Sequence, residues 1–270
     1  MTLLYRLWAF LRRDYLLASS SRLAFAWQAV SVVFAAPILY YLGRLIQPAA
    51  SQHLTPFGGD YFAFVIVGVA FFGFLSTSMG AFGAAVRHEQ MIGTLEALLA
   101  TPASLLVLAV GASLWSVLIA AGQALLYLLM GALVFGLDFG RADLVSAAVI
   151  LALTLSLFIA LGVASAAFVI VFKHTDPMTG LFAAVSALLA GVFYPTSVMP
   201  PLLQRLAQFI PLTHALRALR LALLQGSGLA ALQREVLILL LFLACLVPLA
   251  VAAFWWAVRQ AKSSGTLGAY

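Results

Sequence analysis

The residues able to do chemistry are few, and where they fall limits what they can do. The chain has 14 Lys and Arg, 8 Asp and Glu, and 4 His in 270 residues. His53, His88, His174 and His214 all fall in loops or at helix ends. Haem and metal sites in helical bundles need histidines that face one another inside the bundle. Neither His-Glu-x-x-His nor Gly-x-Ser-x-Gly occurs, which argues against intramembrane proteolysis. Lys173 and Lys262 are the only lysines, and neither follows a Gly-x-x-x-x-Gly phosphate loop, so the chain has no ATPase site of its own. Every Asp and Glu lies between apolar runs or at their ends, where a coupling-ion site of a secondary carrier is not built. The single cysteine, Cys245, excludes an internal disulfide framework.

Two polar stretches remain. The first, RHEQMIGTLEALLATP, spans Arg87 to Pro102. Met91, Leu95, Leu98 and Leu99 recur there at helical spacing, with Glu89, Gln90 and Glu96 on a polar side. Pro102 disfavours further helix at Thr101. A short amphipathic helix of this kind suits a soluble partner; an interfacial connector fits the pattern equally well. The second stretch, residues 195–226, is broken by prolines. Leu202, Leu203, Leu206, Phe209 and Ile210 form an apolar side against Gln204, Arg205 and Gln208. After Pro211, the basic residues His214, Arg217 and Arg220 recur every three positions. Broken helices at membrane depth survive only when buried in protein or lining a wet cavity. The two arginines read either as contacts for anionic substrate or headgroups, or as snorkelling side chains.

These stretches are set in a chain that is 65% hydrophobic and 8% charged, with a mean hydropathy of +1.13. Soluble domains carry roughly 25% charged residues. The apolar runs are continuous, not alternating, so they predict an all-α membrane protein and not a barrel. Six spans are expected: Leu23–Leu42, Tyr61–Val86, Leu105–Phe135, Leu144–Phe172, Met178–Phe193 and Val236–Val258. A polar loop is expected from the first span to Asp60. Residues 1–20 read as an amphipathic interfacial helix, with Leu3, Leu7, Trp8 and Leu11 opposite Arg6, Arg12 and Arg13. The whole chain, residues 1–270, reads as one transmembrane domain.

Small residues mark two spans. Gly73, Ser76, Gly80 and Gly83 share one face of the second, and Gly180, Ala184, Ala187 and Gly191 one face of the fifth. Such stripes let helices approach closely, and helix packing is the plainer reading than a substrate-lining role. Net charge is +6, but the bases flank the apolar runs and do not cluster as they would for nucleic acid. Arg6, Arg12, Arg13, Arg22, Arg87, Lys173, Arg259 and Lys262 fall on one side if both termini are cytoplasmic, and the two short outer loops then hold only Arg44 and Arg141. Arg205, Arg217, Arg220 and Arg234 in the long outer connection run against that assignment. The Lys-poor, Arg- and Ala-rich usage hints at a bacterial source.

The stretch from Arg87 to Pro102 closely resembles the cytoplasmic segment of type-2 ATP-binding-cassette exporter permeases: an acid, a Gly-Thr-Leu-Glu core, Leu-Leu and Thr-Pro. The stretch GVFYPTSVMPPLLQRLAQFIPLTHALRALR, Gly191 to Arg220, is similar to the family's pattern after its fifth span. Together with six spans and an amphipathic N-terminus, the likeness covers nearly the whole chain. It implies a permease subunit, a homodimer around one path, moving a hydrophobic or amphipathic substrate such as a drug, lipid or lipid-linked glycan. ATP and Mg would be bound by a separate ATPase subunit in two copies. Residues 87–102 would form the coupling helix, through Glu89, Gly93, Thr94, Leu95, Glu96, Leu98 and Pro102. Phe193, Tyr194, Pro195, Arg217 and Arg220 would belong to an outer gate on re-entrant helices. The expected location is the bacterial inner membrane. The alternatives are a membrane scaffold or regulator that docks a cytosolic partner, and a secondary carrier or channel.

Overall fold

The computed structural model describes residues 12, 22–92, 105–172 and 177–263. Among these the chain is all-helical. The helices are α1 (Arg22–Leu54), α2 (Tyr61–Ile92), α3 (Leu105–Leu133), α4 (Leu144–Phe172), α5 (Pro177–Leu189), α6 (Pro201–Ala207), α7 (Pro211–Gln225) and α8 (Gln233–Ser263). Among the described residues, five stretches are long and apolar enough to cross a membrane, one running from α1 to Phe57 and the others within α2, α3, α4 and α8. The N-terminal interfacial helix falls outside the described residues except for Arg12, which is helical and exposed.

Local chemistry explains where the long helices start. Asp60 caps α2: its Oδ1 accepts from the backbone N–H groups of Phe62 and Ala63 at 2.7 and 3.2 Å. Asp143 caps α4 in the same way, accepting from the Ser146 N–H and hydroxyl, each at 2.9 Å. An N-cap oxygen satisfies donors that have no partner within the helix.

The second and last spans run past their expected ends, to Ile92 and over Gln233–Ser263, and two further boundaries depart in ways that shape the site. The polar loop expected after Leu42 is mostly helix, because α1 continues through Pro48 to Leu54. Its polar end is satisfied by tertiary bonds. Gln47 donates to the Gly59 carbonyl at 2.6 Å and accepts from the Tyr61 N–H at 2.8 Å. The fifth helix is shorter than Met178–Phe193. It stops at Leu189, and Gly191 turns the chain with φ +76°. Tyr194 closes that end by donating to the Leu188 carbonyl at 2.7 Å. Thirteen residues of helix extend about 20 Å, less than the roughly 30 Å of hydrocarbon.

The core is built around α2. In its membrane-length stretch 72% is buried, against 11% for α8. Phe64, Ile66 and Leu75 of α2 pack with Ile150, Leu157 and Phe158 of α4 and with Leu212, Leu216 and Leu219 of α7. A smaller cluster joins Phe82 and Val86 to Val163, Ala166 and Ile170 of α4 and to Phe254 and Val258 of α8. Between α2 and α4 the backbones nearly touch. A Cβ added at Gly162 would lie 2.7 Å from the Met79 carbonyl oxygen.

Candidate functional site

The two stretches singled out by sequence lie toward opposite ends of α2. This helix has 32 residues, about 48 Å, and runs unbroken from Tyr61 to Ile92. Glu89 falls in its last turns. Gly93, Thr94, Leu95, Glu96, Leu98 and Pro102 lie outside the described residues, between α2 and α3.

At the Tyr61 end, a buried cation holds three segments together. Arg220 of α7 is 2% exposed. Its Nε donates to the Phe64 carbonyl at 3.0 Å, Nη1 to the Gly191 carbonyl at 2.8 Å and Nη2 to the Val192 carbonyl at 3.0 Å. The guanidinium carbon lies 3.4 Å from the centroid of the Phe64 ring. The left-handed turn at Gly191 aims two consecutive carbonyls at one cation. Gly68 leaves the space: a Cβ there would collide with Nη2 and the Val192 oxygen. Beside this clasp, the Tyr61 hydroxyl donates to the Phe193 carbonyl at 2.8 Å.

Arg217 and Arg220, which sequence spacing grouped together, have different surroundings. Three residues along a helix is a rotation of about 60° in the reverse sense. That turn carries Arg217 out of the core. Its side chain is 57% exposed and meets Glu235 at 3.5 Å, whose own side chain is 7% exposed. Arg220 is neither a snorkelling side chain nor, within this chain, open to a headgroup. Of the remaining expected gate residues, Phe193 is exposed and Tyr194 and Pro195 belong to the turn before α6.

The small-residue stripe also divides. Gly83 packs inside the chain, where an added Cβ would lie 2.7 Å from Ser165 Oγ of α4. Gly73 is exposed, with nothing within 4 Å of an added Cβ, and Gly80 has only Thr179 Cγ2 at 3.7 Å. The Ser76 hydroxyl is enclosed without a hydrogen-bond partner. On α5, Gly180 and Ala184 are exposed and Ala187 is half-buried. Gly191 lies past the helix, in the clasp. Thus α2, the most buried of the long helices, leaves Gly73, and in part Gly80, uncovered by the described residues.

Tyr61, Phe64, Gly68 and Glu235 escaped the sequence reading. For Arg220 a signal existed. It follows Leu216 by four positions and precedes Leu223 by three, which places it on the buried side of α7. Gly68 and Tyr61 carried none, because Gly68 makes room for Arg220 of α7 and Tyr61 bonds Phe193 in the turn after α5, both far along the chain.

These features define a polytopic helical membrane protein with a clasped helical hairpin at one end of its central helix. Residues 5–224 match the family model described as ABC-2 type transporter, and the chain belongs to that family. It is a transmembrane component of an ABC-type transporter and not itself the ATPase. No match to a curated protein was found.

Proposed function

We propose that the chain is the membrane-spanning subunit of an ATP-driven exporter, a homodimer docked on two ATPase subunits through residues 87–102. ATP and Mg are held by the partner, and Glu89, Glu96 and Leu98 belong to the docking face. The cargo is hydrophobic or amphipathic, leaving the cytoplasm across a bacterial inner membrane, with six crossings and both termini cytosolic. One observation carries the reading: the family match over residues 5–224 includes both the docking stretch and the clasped hairpin, and α2 alone joins them.

A rigid helix from the docking stretch to the clasp gives ATP-driven motion a route through the bilayer. The clasp would pass that motion on, because Arg220 bonds α2 and the turn after α5 at once. The uncovered faces at Gly73 and Gly80 of α2 and Gly180 and Ala184 of α5 suit either a second copy or the path between copies.

The test is retention of the ATPase by the purified permease. Glu96→Arg reverses a charge and Leu98→Asp places one in an apolar contact. A charge clash at an interface costs several kcal/mol, and about 1.4 kcal/mol already means tenfold in affinity. Each variant should therefore lose partner retention at least tenfold while staying monodisperse in detergent. Unchanged retention by both would leave residues 87–102 a simple connector.

A further inference from the structure

A cleft of about 820 Å³ opens between α6, α7 and α8 at the clasp end of the molecule, within the range of about 300–1,000 Å³ typical of small-ligand sites. Gly73 and Gly80 of α2 and Gly180 and Ala184 of α5 are not among its lining residues. Its histidines and charged groups come from three of the elements around it: His53 of α1, His214, Arg217 and Arg220 of α7, and Arg234 and Glu235 of α8. Three arginines face one glutamate, so the cleft is positive with both histidines neutral. Arg220 is tied to carbonyls and Arg217 shares Glu235. Arg234, exposed in the first turn of α8, is the cation at the mouth with no acidic partner among the described residues.

Depth changes the chemistry. The contacts of Arg217 with Glu235 and of His214 with Phe242 run in opposite directions, so α7 is antiparallel to α8. Beyond Glu235, the α8 wall is Ile238, Leu241, Phe242 and Cys245. Leu241 is 66% exposed and Cys245 is exposed, so this wall is open toward the surrounding apolar phase. From Arg234 to Cys245 is about 16 Å along the helix. Gln208 and His214 supply further polar groups partway along. A site that is cationic at the mouth, then weakly polar, then apolar matches the order of groups in an anionic amphiphile. Basic pockets between transmembrane helices bind phosphate headgroups, and an arginine fork fits phosphate oxygens.

We propose that this cleft binds an anionic phospholipid from the adjacent leaflet, its phosphate at Arg234 and Arg217 and one acyl chain along Ile238, Leu241, Phe242 and Cys245. The site does not depend on what the permease exports or in which direction.

The full-length protein would be placed in nanodiscs of phosphatidylcholine containing a small share of a photo-crosslinking lipid with a diazirine in its acyl chain. The headgroup is phosphatidylglycerol in one arm and phosphatidylcholine in the other, and adducts are mapped by mass spectrometry. Adducts at residues 238–245 should be severalfold more abundant with the anionic lipid. Arg234→Gln should abolish that excess and Arg234→Lys restore most of it. Arg205→Gln, which removes an exposed charge outside the cleft, should leave it intact. Millimolar inorganic phosphate should not displace the lipid, since phosphate alone makes none of the apolar contacts. Equal labelling by both lipids would overturn the site, as would an excess that survives Arg234→Gln. Loss of the excess to inorganic phosphate would replace the amphiphile with a free phosphate ion.

Discussion

At Arg220 a full positive charge is buried without a carboxylate among its described contacts. Three carbonyl dipoles and the face of Phe64 stabilise it instead. Leaving buried carbonyls unpaired costs roughly 1–3 kcal/mol each, so Arg220→Leu should destabilise by on the order of 3 kcal/mol. Its thermal midpoint in detergent should fall well below that of Arg205→Leu, an exposed position; equal midpoints would deny Arg220 its structural role. Gly68→Ala gives a sharper test of sign. In an ordinary helix interior the change gains up to about 1 kcal/mol. Here the methyl strikes the guanidinium and the Val192 carbonyl, so the variant should be less stable than the parent. Asp143 offers a pH test outside the spans. Bonds from the Ser146 N–H and then its hydroxyl hold its carboxyl below the usual carboxylate range. A depressed folded value contributes stability above the unfolded pKa of about 3.9, lost as pH falls through the folded value. Asp143→Ala should therefore be the weaker protein at pH 7, with the gap narrowing below about pH 4. A gap independent of pH would mean the cap acts without its charge.

Helices, taken one by one, follow from their sequences to different degrees. The fourth span begins and ends where its apolar run does, Leu144–Phe172, because Asp143 caps it and nothing interrupts it. The first span outran its apolar stretch because Gln47 found partners at Gly59 and Tyr61, contacts invisible in a local window. The small-residue stripes were legible as patterns, yet only the fold separates Gly83, packed on Ser165, from Gly73 and Gly80, left open. This sets apart three substitutions. Gly83→Leu should impair folding of the single chain. If the proposed dimer packs on this face, Gly80→Leu should leave the chain folded but shift native mass spectra from dimer toward monomer. Gly122→Leu, at an exposed position of α3 with nothing near an added Cβ, should do neither. Identical oligomer distributions for the last two would remove the α2 face from any interface between copies.

Across the whole molecule, the clasp bears on topology. Residues 61–64 and 191–193 are bonded to one another, so the chain that leaves along α2 has returned to the same end by Phe193. That needs an even number of passages between them, which α2, α3, α4 and the short α5 supply. Impermeant labels at single cysteines replacing Ser51 and Ser197 should therefore react from the same side, and one at Ser264 from the other. On the orientation proposed here, Ser51 and Ser197 react in intact cells and Ser264 only after permeabilisation. Opposite sides for Ser51 and Ser197 would reduce α5 to a helix that does not cross.

What the sequence alone determined was class and family likeness. A continuous excess of apolar residues leaves helices as the available spanning solution, and motifs such as Gly-Thr-Leu-Glu and Phe-Tyr-Pro are local strings, readable without contacts. Tertiary structure decided which polar groups face inward. Arg217 and Arg220 are the same residue type one helical turn apart. Their environments differ because Phe64, Gly68 and Val192, far away in the chain, come to one side of α7 and Glu235 to the other. The buried cation Arg220 is stabilised by carbonyls from separate backbone segments, and that convergence exists only once the helices have packed.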